Sequence, residues 1–160
     1  MVVVLYNVRS LNNVGSIFRT ADAAGVEKIY LCGTTPSPVD IFGKPRQQLT
    51  KVSLGAEKYV KWEKVKSATR IIDKLKKQGY KISAIEQSKK SIPYYKLQTK
   101  NLKQKTALIL GNETKGLPSS ILKRADKILE IPMQGKKESL NVAVAFGIVV
   151  FHLANLYNCI

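Results

Sequence analysis

An α/β domain with a mostly parallel sheet and helices on both faces is the fold class this sequence predicts, on three observations. Short β-rich runs alternate with helical segments along the chain, the pattern of strand–helix–strand units. At 160 residues the chain has the size of one domain with its own core. Its apolar fraction, 44%, is that of a globular protein rather than a disordered one. Without an internal repeat or a flexible linker, residues 1–160 are expected to form a single domain.

The elements follow in order. Residues 2–6 (VVVLY) read as a buried strand, too short and lacking a basic leader for a signal peptide. Residues 13–24 read as a helix closed by Gly25, where a left-handed residue costs little. A strand over 28–32 is followed by a long surface loop, 33–48, marked by Pro36, Pro38, Gly43 and Pro45. Residues 68–78 place Ile71, Ile72 and Leu75 on one helical side and lysines on the other, with Gly79 as the stop. Strands are expected over 80–85, 106–110 and 127–131. The last segment, 140–156, is a helix apolar nearly all round, which calls for burial in a core or between subunits. Its longest apolar run, 142–151, is short of the roughly 20 residues that cross a bilayer, so a soluble, cytoplasmic protein without a membrane partner is expected.

Charge narrows the function. There are 27 Lys plus Arg against 11 Asp plus Glu, a formal net charge of +16. On a folded domain this points to a polyanionic partner, because neutralised phosphates release condensed counterions; solubility alone is the competing explanation. Between residues 44 and 105, eighteen Lys or Arg face four acids (Glu57, Glu63, Asp73, Glu86), with Tyr59, Trp62, Tyr80, Tyr94 and Tyr95 interleaved. Such a stretch suits an RNA-facing surface with stacking platforms. Taken singly, each aromatic is more readily a core residue, while the basic stretch as a whole favours RNA. Cys32 and Cys159 lie far apart with no CxxC spacing, which argues for reduced thiols rather than a disulfide framework or zinc site. His152, alone in an apolar helix, receives no role.

Three segments carry chemistry. Gly111-Asn112-Glu113-Thr114-Lys115-Gly116-Leu117-Pro118 follows the strand TALIL, and its two glycines suit a close backbone approach to a ligand or, equally, a plain turn. Gly116 is followed by Leu117 and Pro118, so the lysine and hydroxyl of a P-loop are absent; no G-x-G-x-x-G occurs either. Ile131-Pro132-Met133-Gln134-Gly135 follows another strand, and Ser139-Leu140-Asn141 opens the last helix with Ser139 as its expected N-cap. Polar residues at a buried helix start suggest a ligand meeting free backbone amides. In the first segment, 7–20, Asn13 shares a helical face with Ile17 and Thr20, and Arg19 is either a surface charge or a phosphate clamp.

Taken together, N-x-R-S-x-x-N-x-G-S-x-F-R-T-A-D, L-G-N-E-x-x-G-L and I-P-M-x-G-x-x-x-S-L-N-V-x-V-A closely resemble the SPOUT superfamily, in its SpoU/TrmH branch of RNA ribose 2′-O-methyltransferases. Leu54-Gly55-Ala56-Glu57, followed by Trp62, is similar to that family too. The resemblance covers essentially the whole chain. It implies a C-terminal trefoil knot, a feature no pattern argument would yield, and S-adenosylmethionine as methyl donor bent within it. The implied cofactor residues are Ile85, Leu110, Gly111, Asn112, Gly116, Ile131, Met133 and Leu140. The implied catalytic residues are Asn13, Arg19, Glu113, Ser139 and Asn141. The family implies a homodimer through the last helix, with the arginine reaching the cofactor of the other subunit.

The implied reaction is in-line attack of a ribose 2′-hydroxyl of tRNA or rRNA on the sulfonium methyl, which requires no metal. An arginine, with a pKa above about 12, is a poor base, so Arg19 is expected to clamp phosphate and polarise the hydroxyl. Glu113 is then either the proton acceptor or the group that holds Arg19 and its loop. Many relatives carry an additional RNA-binding domain; this chain starts at its first strand and ends with its last helix, so recognition is expected from its own basic surface or a partner protein. The same fold acting on another RNA atom, and an RNA-binding module without catalysis, are the alternatives.

Overall fold

A computed structural model describes residues 1–97 and 104–158; Cys159, Lys100 and Lys103 of the sequence reading lie outside them. The strands β1 (Val2–Tyr6), β2 (Lys28–Cys32), β3 (Lys61–Val65), β4 (Lys81–Ile85), β5 (Ile92–Pro93), β6 (Thr106–Leu110) and β7 (Lys127–Glu130) form one sheet in the order β3-β2-β1-β6-β4-β7-β5. Every neighbouring pair is parallel, as βαβ crossovers require.

Helices cover both faces. The helices α1 (Leu11–Ala23), α2 (Gln47–Ser53) and α5 (Val142–Asn158) lie on one face, and α3 (Ala68–Lys77) and α4 (Ser119–Leu122) on the other. The apolar runs of β1 and β6 are continuous because each strand feeds two cores. Val3, Leu5, Leu108 and Leu110 pack with Val14, Ile17 and Phe18 of α1 and with Phe146, Val149 and Val150 of α5. Their neighbours Val2, Val4, Ala107 and Ile109 pack with Ile71, Ile72 and Leu75 of α3. That is the two-residue period of a strand read on both sides. Where α1 crosses α2, a Cβ on Gly15 would stand 2.6 Å from the Leu49 carbonyl oxygen, so only glycine permits this approach.

Several boundaries differ from the sequence reading. Helix α1 starts at Leu11, two residues before the expected position, because the Ser10 hydroxyl accepts from the Asn13 N–H and caps it. Strand β3 and helix α2 were not anticipated; β3 (KWEKV) is an edge strand with three exposed charged residues and shows little apolar signal. At the start of α5 the cap is Asn141, whose side-chain oxygen accepts from Ala143 N (2.8 Å) and Val144 N (3.4 Å); Ser139 does not cap. Residues 139–141 are exposed rather than buried. Helix α5 buries Phe146, Val149, Val150 and Leu153 fully, yet leaves Val144 51% and Phe151 43% exposed. Among the described residues no helix is long and apolar enough to cross a membrane.

Candidate active site

The chain leaves β1 toward β2 on one side and later inserts β6 on the other, so strand order reverses at β1–β6. Ligands of parallel α/β sheets bind in the crevice opened there, at the carboxyl ends of the strands. The loops after β1 (7–10) and β6 (111–118) meet at this point and are bonded to each other. The Asn112 amide donates to the Asn7 carbonyl at 2.9 Å, while its oxygen accepts from Thr114 N (3.0 Å) and Lys115 N (2.9 Å), fixing the turn.

Glu113 is the centre of the junction. Its carboxylate accepts from Arg9 N (3.2 Å), Ser10 N (3.2 Å) and the Asn13 amide (3.1 Å). The Asn13 oxygen in turn accepts from the Asn141 amide at 3.0 Å, linking the starts of α1 and α5. Burial pushes the Glu113 carboxyl up, but donors from its own backbone, Ser10, Asn13 and Arg9 outweigh that and hold it below the ordinary carboxylate value. A carboxylate so stabilised is a reluctant proton acceptor. It anchors the loop after β1 and makes no hydrogen bond or ion pair with Arg19.

Beside this network a cleft of about 190 Å³, open to solvent, runs along the ends of β4, β6 and β7 to the start of α5. All eight residues expected to hold a cofactor, Ile85, Leu110, Gly111, Asn112, Gly116, Ile131, Met133 and Leu140, line it, as do Glu113 and Ser139. Asn13 and Asn141 stand behind Glu113. Arg19 is exposed on α1, does not line the cleft, and has no hydrogen-bond or ion-pair partner among the described residues.

The floor depends on two glycines. A Cβ on Gly111 would lie 2.6 Å from the Gly116 carbonyl carbon, and one on Gly116, whose φ is +62°, would lie 2.2 Å from a Glu86 carboxylate oxygen. The same Glu86 oxygen accepts from Leu117 N at 2.7 Å. Sequence reading counted Glu86 only as an acid in a basic stretch; its place just past β4 was the available signal. It also passed over Thr35, fully buried, whose hydroxyl accepts from Val8 N (3.1 Å) and donates to the Leu5 carbonyl (3.0 Å), and Gln87, whose amide donates to the Glu138 carbonyl. Cys32 lies at the end of β2, where burial pushes its thiol up to about 12, a packed and unreactive position. His152 stacks edge-on against Tyr94, away from the cleft.

Apolar walls (Ile85, Leu110, Leu129, Ile131, Leu140), glycine backbone in the lining at Gly111 and Gly116 and a few convergent polar groups suit a nucleoside-sized ligand with a flat base and polar substituents. Fold and cleft thus define a parallel α/β protein with an open cleft at the carboxyl ends of β4, β6 and β7, next to the β1–β6 junction. The chain belongs to the SpoU rRNA Methylase family, whose family model matches residues 1–151. It is 32% identical over 151 residues to a tRNA (guanosine(18)-2′-O)-methyltransferase of Aquifex aeolicus, covering 94% of this chain and 67% of that one. An AdoMet-bound rRNA methyltransferase from Sinorhizobium meliloti superposes with a TM-score of 0.84 at 30% identity, over 96% of this chain and 55% of that one. A structure described as giving insights into the 2-OH methylation of C/U34 on tRNA superposes with a TM-score of 0.80 at 26% identity, over 97% and 94%. The chain spans between 54% and 67% of the length of the first five curated relatives it matches.

Proposed function

We propose that this chain transfers a methyl group from S-adenosylmethionine to a ribose 2′-hydroxyl of tRNA or rRNA. The observation that carries the reading is the cleft at the carboxyl ends of β4, β6 and β7, with the Glu113–Asn13–Asn141 network on its rim. Relatives named as tRNA and rRNA 2′-O-methyltransferases support it.

The residues present fit that methyl donor. Gly111 and Gly116 bring bare backbone to the lining of the cleft, and the aliphatic walls suit a base. When bound, S-adenosylmethionine supplies an electrophilic methyl on a sulfonium and leaves as a neutral thioether, a displacement that requires no metal. The chain's own task is to align the attacking oxygen and exclude water. Glu113 fixes Arg9, Ser10 and Asn13, and through Asn13 fixes Asn141, so the rim next to Ser139 is held in one geometry. Ser139 stands in the cleft with its hydroxyl available to the ribose. Arg19 is supplied to the cleft of a second copy, where its planar fork clamps the phosphate beside the reacting ribose.

That role requires a homodimer. The exposed Val144 and Phe151 on α5 support one built through this helix, since an apolar helix face left in water calls for a partner. The trefoil knot implied by the family belongs to the same reading; Gln87 bonded to Glu138 and Glu86 bonded to Leu117 tie together the segments that follow β4, β6 and β7. A cytoplasmic location is part of the same proposal.

Incubation with S-adenosylmethionine and total RNA, then nuclease digestion and mass spectrometry of nucleosides, tests the proposal. A 2′-O-methyl nucleoside is the expected product. A base-methylated nucleoside would transfer the activity to another RNA atom, and RNA binding without any product would leave a module that binds but does not catalyse.

A further inference from the structure

The loop leaving β2 is not a slack connection. The Asp40 carboxylate accepts from Phe42 N (2.8 Å) and Lys44 N (2.9 Å), Asp40 N donates to the Lys44 carbonyl, and Arg46 N donates to the Pro38 carbonyl. A bridge pairs Val39 with Pro45. The result is a bonded hairpin over 38–46 whose tip presents Ile41, 89% exposed, and Phe42, 79% exposed. Two large apolar side chains held in water on an ordered turn contribute nothing to folding, which marks the tip as a contact element.

Charge identifies what it contacts. Seven Lys or Arg lie between residues 33 and 66 against three acids, and all three acids are engaged. Asp40 closes the hairpin, Glu57 accepts from the Ser53 hydroxyl, and Glu63 pairs with Lys28 at 2.6 Å. Arg46, at the hairpin's root, has no ion pair and a buried Nε without a hydrogen-bond partner among the described residues. At the start of the same loop Lys64 donates to the Gly33 and Thr35 carbonyls, and burial lowers its pKa. A guanidinium without an ion pair among the described residues, at the foot of an exposed aromatic, makes a surface for an anionic chain bearing planar groups. The root of this loop is also joined to the cleft: Asn7 accepts from Thr34, and Thr35 accepts from Val8, next to the residues that bind Glu113.

We propose that the 38–46 hairpin is an RNA-docking element, in which Phe42 stacks on an unpaired base and Arg46 holds a neighbouring backbone phosphate. This rests on the reading of the chain as an RNA enzyme. The probes are a fluorescent 20-nucleotide single-stranded RNA and total tRNA, titrated against the intact chain. Phe42→Ala weakens binding by about fivefold to a hundredfold, the range for loss of one stacked base; Phe42→Trp binds like wild type and Phe42→Leu like Phe42→Ala. Arg46→Gln weakens binding and reduces the slope of log affinity against log salt by about one. S-adenosylmethionine affinity and melting temperature stay unchanged in the Phe42 variants. If wild type binds RNA and Phe42→Ala or Phe42→Leu binds as well, the docking assignment falls and the enzyme reading stands. If the Phe42 variants shift the oligomeric mass, the tip seats a second copy instead, and the assignment falls. If wild type binds neither RNA, both readings fall.

Discussion

Replacing Glu113 by Gln separates an anchor from a base. Glutamine preserves size and one acceptor oxygen but turns the other position into a donor facing either the Arg9 N–H, which one carboxylate oxygen now receives at 3.2 Å, or the Ser10 N–H and Asn13 amide, which the other receives at 3.2 and 3.1 Å. One to two hydrogen bonds are lost at a site open to water, each worth about 0.5–1.5 kcal/mol net. The ordered rim is therefore weakened by about 1–2 kcal/mol, and because 1.36 kcal/mol corresponds to tenfold, kcat falls roughly 5–30-fold. Single-turnover methyl transfer measured from pH 6 to 9 is the assay, with the shape of the pH profile unchanged by the substitution. A loss beyond a thousandfold, accompanied by disappearance of the acid limb of that profile, would refute the anchor argument and make Glu113 the base. Stability supplies a second readout. The folded-state pKa of Glu113 is depressed, so its contribution is complete above the ordinary carboxylate pKa and is lost as pH falls through the lower folded value. The gap in melting temperature between wild type and E113Q stays constant from pH 6 to 8 and narrows below about pH 4.

Gly111→Ala places a Cβ 2.6 Å from the Gly116 carbonyl carbon, an overpacking cost of about 1–3 kcal/mol; melting temperature falls and calorimetry shows S-adenosylmethionine affinity reduced tenfold or more. Arg19→Ala, on an exposed helix position outside the cleft, reduces kcat by roughly a hundredfold or more while cofactor affinity stays within about twofold, and retained turnover would remove Arg19 from the reaction. Asn141→Ala removes the cap of α5 and the bond to Asn13, costing about 1 kcal/mol or slightly more, read as a drop of about 2–4 °C in melting temperature.

What the sequence disclosed, and what it withheld, follows from how each signal is encoded. Strands β1 and β6 were legible because burial on both faces leaves five consecutive residues with almost no polar atom. Strand β3 was not, because an edge strand with Lys61, Glu63 and Lys64 toward solvent resembles a loop in composition. The cleft residues around Gly111 and Ile131 were visible as motifs at strand ends. The hub role of Glu113 was not, because its partners Arg9, Ser10 and Asn13 sit 100 or more positions away and contribute mainly backbone N–H groups, which every residue type has. Asn141 was expected just inside the helix that Ser139 would cap; the structure makes Asn141 itself the cap and adds the link to Asn13.

The long reach of those bonds has a consequence for synthesis. Glu113 meets Ser10 across 103 positions, and Asn141 meets Asn13 across 128. At about 5–20 residues per second, the loop after β1 leaves the ribosome roughly 5–20 seconds before the carboxylate that orders it exists. Throughout that interval strand β1 has β2 to pair with but no β6, leaving one apolar edge open. The rim of the cleft can therefore close only after nearly the whole chain has been made.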